Sequence, residues 1–180
     1  MSLASKFLRF LPLLLLAALT GCSALEDPMV NLNPFRNPSG KAKIVIDLSQ
    51  QKAWLYRGRE VAAVSRISSG REGYDTPTGN FSVIQKDADH RSSVYGAYVL
   101  KGTRKIVVAD VDTRKTKPPA GTTYIGAPMP YFLRFQGGHG LHAGNVPNYP
   151  ASHGCIRLPG FMAKKFYDGV RLGTPVIVRR

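Results

Sequence analysis

His139-Gly-Leu-His-Ala-Gly-Asn-Val-Pro-Asn-Tyr-Pro-Ala-Ser-His-Gly-Cys-Ile-Arg-Leu158 is the stretch on which the reading of this chain turns. It holds His139, His142 and His153, together with Cys155. A thiol becomes a strong nucleophile at neutral pH when an imidazole or a cation nearby favours the thiolate. Cys155 with His142 as its base is the simplest machine these residues can build. His139 is a second candidate for the base and ranks below His142. Phe132 to Phe135 and Leu141-His142 read as one strand interrupted by the glycines at 137, 138 and 140. Cys155 to Leu158 reads as the next strand, stopped by Pro159. The Pro/Asn-rich 145–150 stretch joins them as a loop. Paired as a long-loop hairpin, the two strands bring His142 and Cys155 face to face.

The neighbours of the thiol suit that chemistry. Gly154 lets the backbone approach a substrate closely, and its N–H with that of Cys155 can form an oxyanion hole. Ser152 supports the loop through a side-chain hydrogen bond. His153 is read as a loop organiser or a secondary polar contact. Arg157 has two equal readings: a bidentate contact to a substrate carboxylate, or a brace for the cysteine loop.

Ser152-His-Gly-Cys-Ile-Arg157, with an upstream histidine in a Gly-rich strand, strongly resembles the L,D-transpeptidase catalytic domain (YkuD-type) of bacterial cell-wall enzymes. Thr76-Pro-Thr-Gly79 before an aromatic strand, and Ile46-Asp-Leu-Ser-Gln-Gln-Lys-Ala-Trp-Leu-Tyr56, resemble the same family. The resemblance implies that Cys155 forms the acyl-enzyme and that His142 is its base. It implies peptidoglycan stem peptides as substrates, acyl transfer from a diaminopimelate carbonyl to an amine, and no cofactor. An L,D-carboxypeptidase or an amidase working through the same thioester is the alternative, as is a non-catalytic, lipid-anchored wall-binding protein. Where the family usually has His-Gly, this chain has His142-Ala143. A papain-like or NlpC-like peptidase is disfavoured, because those place the cysteine before the histidine.

Outward from the motif, the expectation is a mainly β domain of two packed mixed β-sheets (a β-sandwich), with a short helix after the cysteine strand. Strands are read at 43–48, 52–56, 60–67, 81–84, 104–111 and 172–178 from alternating or β-branched runs. The Thr76-Pro-Thr-Gly79 turn counts as architecture first and cleft wall second. Residues 86–98 read as a polar loop, with His90 exposed in it. Asp87, Asp89 and His90 lie too close in sequence for a recognised metal site, so no metal is expected. Residues 112–123 read as a loop able to cover the cleft. Pro159 to Asp168 is the helix, with Phe161, Met162, Lys165 and Phe166 on a mixed apolar face.

The start of the chain reads differently. Lys6 and Arg9 precede the apolar run Phe10 to Leu19, which is too short for a comfortable membrane span. Leu19-Thr-Gly-Cys-Ser23 follows and resembles a lipoprotein signal ending at a lipidated Cys22. The expected plan is a signal peptide over 1–21, Cys22 and a Pro-rich tether over 22–40, and the catalytic domain over 41–180. Lipid on Cys22 leaves Cys155 without a disulfide partner, and an unpaired thiol in an exported protein favours reactivity. Ser23 after the lipid cysteine points, by resemblance, to the outer membrane. The net charge of +14 is spread along the chain. No basic helix and no aromatic RNA-binding signature accompany it, so nucleic acid is not the expected partner. Peptidoglycan, the membrane reached through the lipid, and an envelope protein as acceptor are.

Overall fold

The structure is a computed structural model that describes residues 38–147 and 149–180. The expected signal peptide, Cys22 and most of the tether lie outside the described residues. Twelve strands and one helix are present among the described residues. They are β1 (Ala42–Asp47), β2 (Lys52–Arg57), β3 (Glu60–Arg66), β4 (Gly79–Ser82), β5 (Gln85–Asp87) and β6 (Arg91–Leu100). Then come β7 (Ile106–Asp112), β8 (Thr122–Pro128), β9 (Phe132–Gln136), β10 (His139–Ala143), β11 (Ile156–Leu158), α1 (Gly160–Gly169) and β12 (Pro175–Arg179).

The mainly β class with one short helix after the cysteine holds. The strands form three sheets: β3-β2-β1-β12-β4, β11-β10-β9-β5 and β7-β6-β8. The first two are mixed, since β1 runs parallel to β12 and β10 parallel to β11. They share one core. Ile44 and Ile46 of β1, Leu55 of β2 and Val176 of β12 meet Leu133, Leu141, Ile156 and Leu158 from the second sheet. Strict alternation puts these residues on one face, and burying each aliphatic side chain is worth about 1.5–3 kcal/mol. α1 closes the core with Met162, Ala163 and Phe166. Phe161, expected on the buried face, is 75% exposed. The true stripe is 162, 163, 166 and then Val170, which a 3.6-residue period carries round as one face.

Three local expectations change. Residues 132–142 are not one interrupted strand but an antiparallel hairpin, β9 to β10, because Gly137 at φ 48° permits a reversal. β10 and β11 are parallel rather than a hairpin, with His142 beside Arg157. A parallel return needs a connection of a dozen or so residues, and 144–155 supplies it. Finally, the presumed polar loop at 86–98 holds β5 and most of β6. The polar side chains there mark a sheet with a solvated face, not the lack of one.

The 113–121 connection between β7 and β8 is tied down in part. Its Thr116 carbonyl accepts a hydrogen bond from the Tyr98 hydroxyl at 2.9 Å.

Candidate active site

β10 carries His142 next to its last residue, with the side chain nearly buried at 7% exposure. Its Nδ1 lies 2.8 Å from the Ala143 carbonyl oxygen. A carbonyl only accepts, so Nδ1 carries the proton and Nε2 is the bare nitrogen. No side-chain nitrogen or oxygen among the described residues is both buried and unpartnered. Nε2 therefore opens into the cleft that His142 lines. The third member of the constellation is thus a backbone carbonyl, and a side-chain motif could not have revealed it.

Cys155 precedes β11, with its Sγ donating weakly to the Gly138 carbonyl at 3.6 Å. Burial pushes the thiol up in pKa, while the Gly140 N–H and the more distant Arg134 and Arg157 guanidiniums pull the other way. Burial also depresses His142, to about 4, against the pull of the Ala143 carbonyl and with a further push from Arg157. At neutral pH the resting pair is a neutral thiol and a neutral imidazole. A neutral pair of this kind can act as nucleophile and base only if the proton moves as the sulfur attacks.

The loop that carries the sulfur is braced on both sides. Ser152 Oγ donates to the Cys155 carbonyl at 2.5 Å and accepts from the Gly154 N–H at 3.0 Å. This is the support expected of Ser152. It also engages the Gly154 N–H, which was expected to face an oxyanion. The N–H of Cys155 itself is the donor of that pair left to the role. From across the fold, Thr76 Oγ1 donates to the Gly154 carbonyl and accepts from the Gly70 N–H, each at 2.9 Å. The Thr76-Pro-Thr-Gly79 turn is therefore a strut under the loop that carries Cys155. Ser68 adds a second strut, donating through Oγ to the Tyr149 carbonyl and pairing backbone to backbone with Arg157.

Gly154 has φ +106°, and a Cβ there would come within 2.8 Å of the His139 ring. His139, the lesser candidate for the base, lies over this glycine and lines the cleft wall. His153 is expected as a loop organiser or a secondary polar contact. It accepts an N–H from Arg71 at Nε2 (2.8 Å), stacks on Tyr95 at 4.2 Å and meets Tyr74 edge-on. Arg157 packs its aliphatic stem over Gly144, and no acidic side chain pairs with its guanidinium among the described residues. Its head lines the cleft instead.

The cleft has a volume of about 570 Å³, and Cys155 and all four histidines reach it. His90 is the unexpected one. Read as an exposed loop residue, it is 18% exposed, stacks on Phe132 at 4.2 Å and sits 3.0 Å from Asp87. Arg134 is a second residue the sequence reading passed over. It donates to Gln85 Oε1 and to the Gly137 carbonyl, each at 2.6 Å, which steadies the turn whose Gly138 carbonyl meets the thiol. Alternation along β9 would have placed Arg134 opposite the core face, but nothing linear ties it to Cys155.

A family model, the YkuD L,D-transpeptidase catalytic domain, matches residues 41–178. No curated protein matches the chain. Among solved structures, an L,D-transpeptidase from Mycobacterium smegmatis is similar at 20% identity and a TM-score of 0.58, over 78% of this chain and 59% of that one. One from Xylanimonas cellulosilytica has 23% identity and a TM-score of 0.56, over 80% and 63%. A cysteine-to-serine mutant of the Enterococcus faecium L,D-transpeptidase has 26% identity and a TM-score of 0.54, over 78% and 50%. This chain therefore spans about half to three fifths of the chains it matches. The match over 41–178, on the fold that carries Cys155 and His142 into one cleft, makes this chain a member of the L,D-transpeptidase catalytic-domain family.

Proposed function

We propose that the chain is a peptidoglycan L,D-transpeptidase using Cys155 as nucleophile and His142 as base. The observation that carries this is one cleft lined by both the Cys155 thiol and an imidazole whose tautomer the Ala143 carbonyl holds. His142 Nε2 takes the thiol proton as Sγ attacks the carbonyl of the diaminopimelate at position 3 of a stem tetrapeptide. The Cys155 N–H faces the developing oxyanion. Collapse breaks the peptide bond, and the terminal D-Ala leaves with the proton from His142. An amine then takes the acyl group from sulfur. Arg157, free of acidic partners in the cleft, suits a stem-peptide carboxylate. Cys22 is the proposed lipidation site, holding the domain at the periplasmic face of the envelope, with the outer membrane favoured. The Ser23 next to it and the apolar run before it support this reading.

The test is mass spectrometry of diaminopimelate-containing tetrapeptide muropeptides incubated with the protein and with Cys155→Ala. Cross-linked dimers lacking one D-Ala, absent with the variant, are expected. Loss of D-Ala without cross-links would instead assign an L,D-carboxypeptidase. Release of an attached protein from the wall would assign an amidase. Products that persist with Cys155→Ala would sink the thiol mechanism.

A further inference from the structure

The cleft contains a second imidazole held in the manner of the first. β5 pairs with β9 so that Asp87 lies opposite Phe132. The turn after β5 is pinned by two backbone bonds, Met129 N–H to the His90 carbonyl and Tyr131 N–H to the Ala88 carbonyl, at 2.8 and 2.9 Å. The Asp87 carboxylate is fixed too, since its Oδ1 accepts the Asp89 N–H at 3.1 Å and its Oδ2 meets His90 Nδ1 at 3.0 Å. A carboxylate partner puts the proton on Nδ1 and leaves Nε2 bare. His90 Nε2 has no hydrogen-bond partner among the described residues, and none of their side-chain nitrogens is buried unpaired. His90 lines the same cleft as Cys155. Phe132 sits between the two imidazoles, stacked on His90 at 4.2 Å and 6.4 Å from the His142 ring.

The reaction proposed above has work for two bases. An alkyl amine acceptor is an ammonium at neutral pH, with a pKa of about 10. It must lose one proton before its nitrogen can attack the thioester carbonyl, and a second as the C–N bond matures to an amide. When the C–S bond breaks, the departing thiolate takes back only one proton. The balance is R-NH3⁺ plus acyl-S-Cys155 giving acyl-NH-R, the Cys155 thiol and one proton to solvent. His142, which gave its proton to D-Ala and shares the cleft with the sulfur, takes one proton from the amine and passes it to the thiolate. The other proton needs a different route.

We propose that His90, held by Asp87, is the general base that takes this proton from the acceptor amine. His142 then serves the thiol side of the cleft and His90 its acceptor side. This assignment rests on the transpeptidase reading, and the half-reactions separate the two.

The experiment follows the full chain in single turnover. A tetrapeptide stem donor is added first, and acylation of Cys155 is read as mass gain with release of D-Ala. A diaminopimelate-containing acceptor is then added. His90→Gln is expected to acylate at the wild-type rate and to resolve the thioester about 100-fold more slowly, the order that a positioned base contributes. Asp87→Asn is expected to show a smaller loss in the same step. Hydroxylamine, already neutral at pH 7, should resolve the acyl-enzyme of wild type and His90→Gln at similar rates. A purely structural role for His90 would not distinguish the two amines. Equal loss in both half-reactions, or equal slowing with both amines, overturns the assignment. So does resolution by His90→Gln at the wild-type rate. Failure of the wild type to acylate at all would remove the transpeptidase reading itself, and this inference with it.

Discussion

The loop that carries Cys155 and the hairpin that walls the cleft are built on opposite plans. Residues 149–157 are stitched to residues 68–76, far away in sequence, through Ser68, Thr76 and paired backbone groups. Ser68 and Ser152 are essentially inaccessible, and Ile156 is fully buried behind the sulfur. The β6–β7 hairpin supplies Ser92, Ser93, Val94 and Tyr95 to the same cleft. Its far end, however, stands clear of the body, with Ile106 60% and Val107 49% exposed. Most bonds at that tip are local, running among Leu100, Thr103 and Lys105, with one from the Lys101 N–H to the Gly121 carbonyl. A sulfur that must meet one carbonyl at one angle requires fixed geometry, and each distant strut removes a way for it to move. A wall that only contacts substrate can rest on its own short-range bonds.

This contrast can be broken or sharpened by measurement. The largest effect belongs to the buried imidazole of His142. His142 has a folded pKa near 4 against 6.5 for a free imidazole, so the folded state resists its protonation. Its contribution to stability is complete above pH 6.5 and is lost as pH falls towards 4, amounting to about 3 kcal/mol. Denaturant unfolding of wild type and His142→Gln across this window should give curves that converge on acidification. Parallel curves would mean that His142 is not held neutral by burial.

Next comes the strut. Thr76→Val keeps the side-chain volume but strands the Gly154 carbonyl and the Gly70 N–H, at an expected cost of about 1–3 kcal/mol. Activity should fall by more than the unfolded fraction accounts for, because the sulfur loses its support. Normal turnover in the folded variant would show that the brace serves stability alone. The smallest effect lies at the hairpin tip. Ile106→Ser should change stability by no more than about 0.5 kcal/mol. A loss above 1 kcal/mol in the urea midpoint would mean that the tip is as integrated as the loop.

Much of this was legible along the chain. Cys155 and His142 stand in the motif, the Thr76-Pro-Thr-Gly79 turn announces itself by composition, and the alternation of Ile44, Ile46, Ala53 and Leu55 marks core strands that the structure buries. β6 was missed because its polar face reads as loop. His90 was missed for a related reason: its partners, Phe132 and the cleft, come from β9 and beyond, so nothing nearby distinguishes it from a surface histidine. The helix was placed correctly and its face turned by one residue, since Phe161 and Met162 are equally apolar and only docking chooses between them.

By itself the sequence determined the β class and the position of the helix, and it singled out Cys155 and His142 as the candidate nucleophile and base. These rest on residue type and short-range periodicity, which the chain displays directly. Only the tertiary structure decided that β10 and β11 run parallel, that the Ala143 carbonyl orients His142, that Ser152 occupies the Gly154 N–H, and that His90 and Arg134 join the cleft. Each of these depends on where distant backbone groups come to lie after the core closes. Backbone donors and acceptors are the same at every non-proline residue, so no pattern of side chains announces which of them will meet.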